Sequence, residues 1–390
     1  MMTFLHFLDI ALWLIMACSA GYVVFFAIVS MLPKKKQPAP VKSANSTFLV
    51  IYPAYKEDLV IRKSVESFLQ QTYSKDNYQL CVISDHMQPE TNAWLEAQPI
   101  TLLTPTFDKS SKAQALRYAI KQTGQERHYD YVVILDADNI VANDFLQRLN
   151  DEYTSQGFRA IQCHRTAKNA NNDIAELDSL SEEVNNCIFR SAHNRIGLSS
   201  ALIGSGMCFD YAWFCANVDR LSSAVEDREL EAMLMKQDIF IKYAENLYVL
   251  DEKVSNAEAF QKQRMRWMNG QLQALFSMMP YLPKALLKGN INYIDKTLQQ
   301  ALIPRSILLV VMPFIALLLL FTIPAWSIKW WGLLLMLVIT LYIAIPSRLR
   351  SRSLFRKIGS LPGLVIRMLR NIRHMDRKNT DFIHTNHTTE

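Results

Sequence analysis

Val132-Val133-Ile134-Leu135-Asp136-Ala137-Asp138 is the stretch on which the reading of this 390-residue chain turns. Four branched apolar residues in a row specify a buried strand. The run ends in two acids one residue apart, and a buried strand cannot leave such charges unanswered. Alternate positions of an extended chain point the same way, so both carboxylates can converge on one hard cation held by oxygens. Mg²⁺ or Mn²⁺ there would keep open positions for a diphosphate. For Asp136 and Asp138 the plainer alternative is a solvated strand end.

On either side, strand and helix signals alternate. Phe48–Tyr52 and Leu80–Ile83 are short apolar runs, and Ala160–Cys163 is another. Leu59–Leu69 and Ser111–Lys121 carry helical spacing, the latter ending near Gly124. Such alternation predicts an α/β fold, a mostly parallel sheet flanked by helices. Ligands of such sheets bind at the carboxyl ends of the strands, so the residues just after each run matter most.

The first run leads into Pro53-Ala54-Tyr55-Lys56-Glu57-Asp58, and the second into Ser84-Asp85-His86. Tyr55 could stack on a base while Glu57 and Asp85 accept hydrogen bonds from base or ribose; turn and cap chemistry is the alternative. Lys112, opening a helix, could meet phosphate or simply face solvent. Glu226-Asp227 precede an amphipathic stretch, where Asp227 could be a dipole-favourable cap. Gly204-Ser205-Gly206 lets backbone and ligand approach closely. Gln263, Arg266 and Trp267 fall at i, i+3 and i+4, one helical face. A guanidinium beside a tryptophan suits a phosphate next to a flat sugar, or an interface helix anchored by Trp267.

Half of the chain is apolar and only 20% is charged, which excludes a disordered chain. Phe7–Leu32 is almost wholly apolar, its only charge being Asp9, and exceeds the length needed to span a bilayer. It lacks the basic start of a signal peptide. Lys34, Lys35 and Lys36 follow it, placing the N-terminus outside and the next domain in the cytoplasm. Ser306–Ala325 and a shorter run, Trp331–Ile345, form a hairpin. Trp326–Trp331 is its turn at the headgroup boundary, and Arg348, Arg350, Arg352, Arg356 and Lys357 follow on the cytoplasmic side. The net charge of +6 clusters beside these runs, which points to a lipid bilayer and not to nucleic acid. Sequons at Asn45 and Asn386 would be cytoplasmic and carry no glycan. The six cysteines have no metal spacing and read as free thiols.

The expected organisation is an N-terminal span in 1–33, a basic linker in 34–47 and a cytoplasmic catalytic domain in 48–255. Interfacial helices follow in 256–303, a transmembrane hairpin in 304–346 and a basic tail in 347–390. Between Glu258 and Leu302 apolar and basic residues alternate at helical spacing, broken by Pro283 and Gly289, as in helices lying on a leaflet. Leu361–Arg373 is a second such stretch.

Taken in chain order, Pro53 to Glu57, Asp85, Asp136-Ala137-Asp138, Glu226-Asp227 and Gln263 to Trp267 resemble the motifs of membrane-bound family 2 glycosyltransferases with the GT-A fold, the branch of cellulose, hyaluronan and chitin synthases. The resemblance implies an inverting transfer from a nucleotide sugar, a UDP-sugar first, to a lipid-linked or growing glycan acceptor at the cytoplasmic face. It implies Tyr55, Glu57 and Asp85 around the nucleoside and Asp136 and Asp138 around the metal and diphosphate, with Asp138 the direct ligand. Asp227 would be the general base, and Gln263, Arg266 and Trp267 would complete the diphosphate and acceptor site beside Glu226. Phe382-Ile383-His384-Thr385 resembles a short ending of some relatives. Three features depart from the pattern: Lys56 stands where Asn is usual, His86 where Asp or Asn is usual, and three spans are fewer than processive synthases use. A homo-oligomer could supply more.

A phosphatase-like hydrolase with Asp136 as nucleophile would need Thr or Val where Ile140 stands. A membrane scaffold with a degenerate domain would not need Asp136, Asp138, Asp227 and Arg266 together.

Overall fold

The structure, a computed structural model, describes residues 2–34, 45–124, 127–169, 172–223, 225–254 and 256–350. Most of the linker with Lys35 and Lys36, the basic residues after Arg350, the 361–373 stretch, Asn386 and the 382–385 ending lie outside the described residues.

One sheet of eight strands organises the chain: β1 Phe48–Tyr55, β2 Tyr78–Asp85, β3 Thr101–Leu103, β4 Tyr131–Ile134, β5 Ile140–Val141, β6 Ala160–Ala167, β7 Met207–Asp210 and β8 Ile241–Asp251. Their spatial order is β3-β2-β1-β4-β7-β6-β8-β5. Six strands run one way, and only β7 and β5 run against their neighbours. The expected mostly parallel sheet is therefore present. Sequence periodicity misses the short β3 and β5, and also β7 and β8.

The α-helices are α1 Met2–Val29, α2 Ile61–Phe68, α3 Pro89–Glu96, α4 Lys112–Thr123, α5 Phe145–Gln156, α6 Asp173–Asn185, α7 His193–Arg195, α8 Tyr211–Asn217, α9 Glu226–Lys236, α10 Ala257–Met278, α11 Leu282–Lys288, α12 Ile291–Ala301, α13 Arg305–Thr322 and α14 Pro324–Ala344. A π-helical stretch, Asn186–Ala192, joins α6 to α7. Short polar side chains set several starts. Ser111 accepts from the Gln114 N–H, Asn172 from Ile174 and Ala175, and Asp210 from Trp213.

Leu49, Ile51, Val132 and Ile134 face one core, Phe48, Val50, Tyr52 and Val133 the other. Both faces are thus covered, which is why β1 and β4 read as unbroken apolar runs. Pro53 is tolerated in the central β1 because β4 pairs with it only as far as Ile51.

Helices α1, α13 and α14 are long and apolar enough to cross a membrane. They pack together with α6 through Met16, Ala20, Val184, Leu308, Met312 and Leu337. Asp9 is answered by the Lys329 ammonium and by the Trp330 Nε1–H at 2.8 Å. That contact corrects the expected turn. Trp326 to Trp331 are helical, the break comes at Ile323, and Pro324 starts α14 with a preset φ. The third span is accordingly 21 residues, not the short run expected. Gly289, at φ 65°, ends α11 as a left-handed cap, whereas Pro283 stands in the first turn of that helix.

Candidate functional site

The carboxyl ends of β1, β2 and β4 open on a cavity of about 630 Å³. All eleven residues singled out from the sequence line it: Tyr55, Glu57, Asp85, Lys112, Asp136, Asp138, Glu226, Asp227, Gln263, Arg266 and Trp267. They come from strand ends, loops and helices far apart in the chain, so their meeting is a property of the fold.

At the β1–β2 end, the Lys56 N–H donates to the Asp85 carbonyl at 3.1 Å. Buried Asp85 holds His86 Nδ1 at 2.6 Å, and the His86 ring meets the Tyr55 ring edge-on at 5.6 Å. Lys56 and His86 both adopt φ 57°. That geometry explains the family's usual residues there, because Asn and Asp enter the left-handed region more easily than Lys.

The β4 strand stops at Ile134, so Asp136 and Asp138 sit in a turn and the expected alternation along a strand does not apply to them. Asn139 builds that turn. Its Oδ1 accepts from the Asp136 N–H at 3.0 Å, and its Nδ2 donates to Asp138 Oδ1 at 3.0 Å and Asp251 Oδ1 at 3.3 Å. Ser205 donates to the same Asn139 Oδ1. Asp138 Oδ2 also accepts the Glu252 N–H at 2.9 Å. Asn139 and Ser205 are fully buried, and the motif reading marks neither as a site residue. Their nearness in sequence to Asp138 and Gly204 was the available signal.

Among the described residues no three His, Cys, Asp or Glu side chains form a ready metal set. Asp136 and Asp138 nevertheless offer hard oxygen donors with lone pairs to spare, and a cation of the Mg²⁺ class takes one or two carboxylates and completes its shell with phosphate and water. The donor chemistry fits a divalent ion brought in with a diphosphate.

Lys112 differs from expectation. Its ammonium binds the Asp136 carboxylate and the Gly204 carbonyl (2.6 Å) and lies 3.5 Å from Glu226. Burial opposes its charge, but Asp136 and Glu226 outweigh that and hold it above its ordinary pKa. Gly204, at φ 76°, brings its backbone under the acids; a Cβ there would lie 3.8 Å from Asp227 Oδ2. Glu226 and Asp227 occupy the first turn of α9. Burial, countered by Lys112 and reinforced by Asp227, pushes Glu226 up to about 7. Arg266 on α10 feels Glu226, Asp136 and Asp227, although burial lowers its pKa overall. The Arg264 guanidinium stacks on Trp267, 4.8 Å from the ring, while its Nη2 donates to Asp178 at 2.7 Å.

A buried ion network also lines the cavity and escaped the motif reading. Arg165 on β6 forks both Glu182 oxygens at 3.1 Å, and Lys253 binds Glu182 and, at 2.7 Å, Asp251. Burial would raise the Glu182 pKa, but the two cations hold it far below the usual carboxylate range. These residues are scattered from 165 to 253, with no local pattern to tie them together.

Residues 131–343 match the model of the family described as Glycosyl transferase family group 2. Among solved structures, the mannosyltransferase PcManGT from Pyrobaculum calidifontis, in complex with GDP-Man and Mn²⁺, superposes with a TM-score of 0.54 at 16% identity, over 86% of this chain and 97% of that one. S. aureus TarS 1-349 in complex with UDP-GlcNAc gives a TM-score of 0.44 at 11% identity, over 84% and 92%. The first of these likenesses shows the fold, of GT-A type. No curated protein matches the chain.

Proposed function

The chain belongs to glycosyl transferase family group 2, and from that premise we propose that it moves a sugar, with inversion, from a nucleotide-sugar donor to a lipid-linked or growing glycan acceptor at the cytoplasmic membrane face. The carrying observation is the convergence of Asp85, Asp136, Asp138, Asp227, Arg266 and Trp267 on one cavity. We take a UDP-sugar as donor. Tyr55 stacks on its base, and Glu57 and Asp85 accept from the nucleoside.

In the transfer, the acceptor hydroxyl oxygen forms a bond to the anomeric carbon as the bond from that carbon to the diphosphate breaks. The hydroxyl proton goes to the Asp227 carboxylate, and a nucleoside diphosphate leaves. Asp138, with Asp136 beside it, would hold Mg²⁺ or Mn²⁺, which when bound neutralises charge on the leaving diphosphate. Lys112 keeps Asp136 oriented, and Arg266, already among the acids, supplies a cation toward the phosphates. Gln263 and Trp267 border the sugar and acceptor.

Helices α1, α13 and α14 would anchor this domain in the bilayer, with α10 to α12 lying on the leaflet. Phe276, Leu286, Leu287 and Ile291 on those helices are exposed, as membrane contact requires. A screen of radiolabelled UDP- and GDP-sugars on membranes containing the full chain, with product sizing, tests the proposal. Asp227→Asn should abolish transfer and leave donor binding nearly intact; equal turnover removes Asp227 from the mechanism.

A further inference from the structure

The cavity does not end at Trp267. It continues past Arg264 and Arg305 to Val23 of α1, Leu309 of α13, and Val338 and Leu341 of α14. One continuous space thus joins the acids to the interior of the three apolar helices. Its two ends differ in chemistry. The inner walls are mostly apolar, with Ser306 and Tyr342 the hydroxyls among them, so a glycan chain would find few hydrogen-bond partners there.

Between the two ends lie more guanidinium groups than carboxylates paired with them. Arg305 Nη2 donates to the neutral Asn185 Oδ1 at 2.6 Å, and its Nη1 is buried with no partner. Arg264 spends Nη2 on Asp178 but leaves a buried Nε unpartnered. Arg190, on the same wall, is bonded to neutral oxygens of Asn186 and Ala201. Glu182 and Asp251 are engaged by Arg165 and Lys253, and Glu231, which also lines the cavity, accepts the Leu202 N–H and feels the Lys296 charge. Among the described residues no carboxylate forms an ion pair with Arg305 or Arg190. Buried guanidinium N–H groups left in this state call for a multivalent oxygen anion.

We propose that this inner part is the acceptor subsite and that its occupant is a single-chain membrane lipid whose phosphate carries a sugar with the acceptor hydroxyl, the phosphate on Arg305 and Arg264 and the chain between α1, α13 and α14. This rests on the transferase reading and names its acceptor class. The order along the cavity, donor acids, then arginines, then mostly apolar walls, matches the order of a nucleotide sugar with the acceptor sugar against it, a lipid phosphate and its chain.

Binding to the full-length protein in nanodiscs of neutral lipid tests it, with farnesyl phosphate, farnesol and inorganic phosphate as probes and UDP and GDP as controls. Farnesyl phosphate should bind at least about tenfold tighter than either farnesol or inorganic phosphate. Arg305→Gln should erase the margin over farnesol, Arg305→Lys should keep part of it, and neither should change nucleotide binding. Leu309→Trp, which fills the chain side and leaves every arginine in place, should weaken farnesyl phosphate and spare the nucleotides; it also serves if Arg305→Gln does not fold. Equal binding of farnesyl phosphate and farnesol, or of farnesyl phosphate and inorganic phosphate, overturns the proposal, as does an Arg305→Gln protein that keeps the margin. Nucleotide binding with no lipid discrimination defeats this subsite alone. Lipid discrimination with no nucleotide binding defeats the transferase reading and leaves the lipid site standing.

Discussion

Gly270 gives the most direct test of how α10 and α9 are set against one another. It is buried on α10, three residues beyond Trp267, and a Cβ added there would fall 2.4 Å from Val225 Cγ1 and 3.4 Å from Val225 Cβ. Ordinary carbon contacts are about 3.5–4.0 Å, so Gly270→Ala must displace Val225 or α10 by about 1 Å. Overpacking of that kind costs about 1–3 kcal/mol, offset by about 1 kcal/mol from replacing a mid-helix glycine. The net loss of stability should be about 0–2 kcal/mol. The catalytic effect should be larger, because Val225 directly precedes Glu226 and Asp227 and a misplacement of about 1 Å can cost about a hundredfold in rate. The assay is release of nucleoside diphosphate by purified protein, with thermal unfolding measured alongside. A cycle with Val225→Ala completes it, since the double variant has no Cγ1 to clash and should return to within about threefold of Val225→Ala alone. Gly270→Ala with full turnover, or a double variant no better than Gly270→Ala, would refute the idea that this contact positions Asp227.

Three further outcomes follow from the site and its supports. Glu182→Gln leaves buried Arg165 and Lys253 with Asp251 as their one shared carboxylate, and denaturation should show a loss of about 3 kcal/mol, whereas a change under about 1 kcal/mol would show that the network is dispensable. Asp138→Ala should weaken UDP binding at least about tenfold in the presence of Mn²⁺ and little in its absence, by calorimetry; unchanged affinity dismisses the metal assignment. His193 is fully buried against Phe26, and burial lowers its pKa despite the Asp295 carboxylate nearby. The unfolded chain then takes up a proton near pH 6.5 that the folded chain refuses, so stability should fall as pH drops from about 8 to about 5, with a slope of up to about 1.4 kcal/mol per unit. His193→Gln should flatten that part of the profile, and an unaltered slope would assign it to other groups.

Much of the fold was legible because its signals are local. An unbroken apolar strand, such as Val132 to Leu135, declares that both of its faces are covered, and runs such as Phe7–Leu32 declare a length that only a bilayer or a helical bundle would bury. The same locality explains the misses. β5 is two residues long and carries no period, and β7 and β8 join the sheet through pairings with distant strands. At the aromatic segment, Trp326 to Trp331 suited a headgroup turn by composition, but Asp9 sets its true place by binding Lys329 and Trp330 from another helix.

The candidate residues were read from chain order and motif type, which are properties a sequence carries by itself. Residue type alone named the acids, the arginine and the tryptophan. It could not say that Lys112 holds Asp136, that Asn139 aims Asp138, or that Arg264 stacks on Trp267. Those outcomes depend on distances between segments far apart in the chain and on the rotamers that packing selects, and both exist only once the cores are built. Likewise, that Arg305 and Arg190 have no carboxylate ion pair arises from which acids other cations reach first, a competition decided in three dimensions.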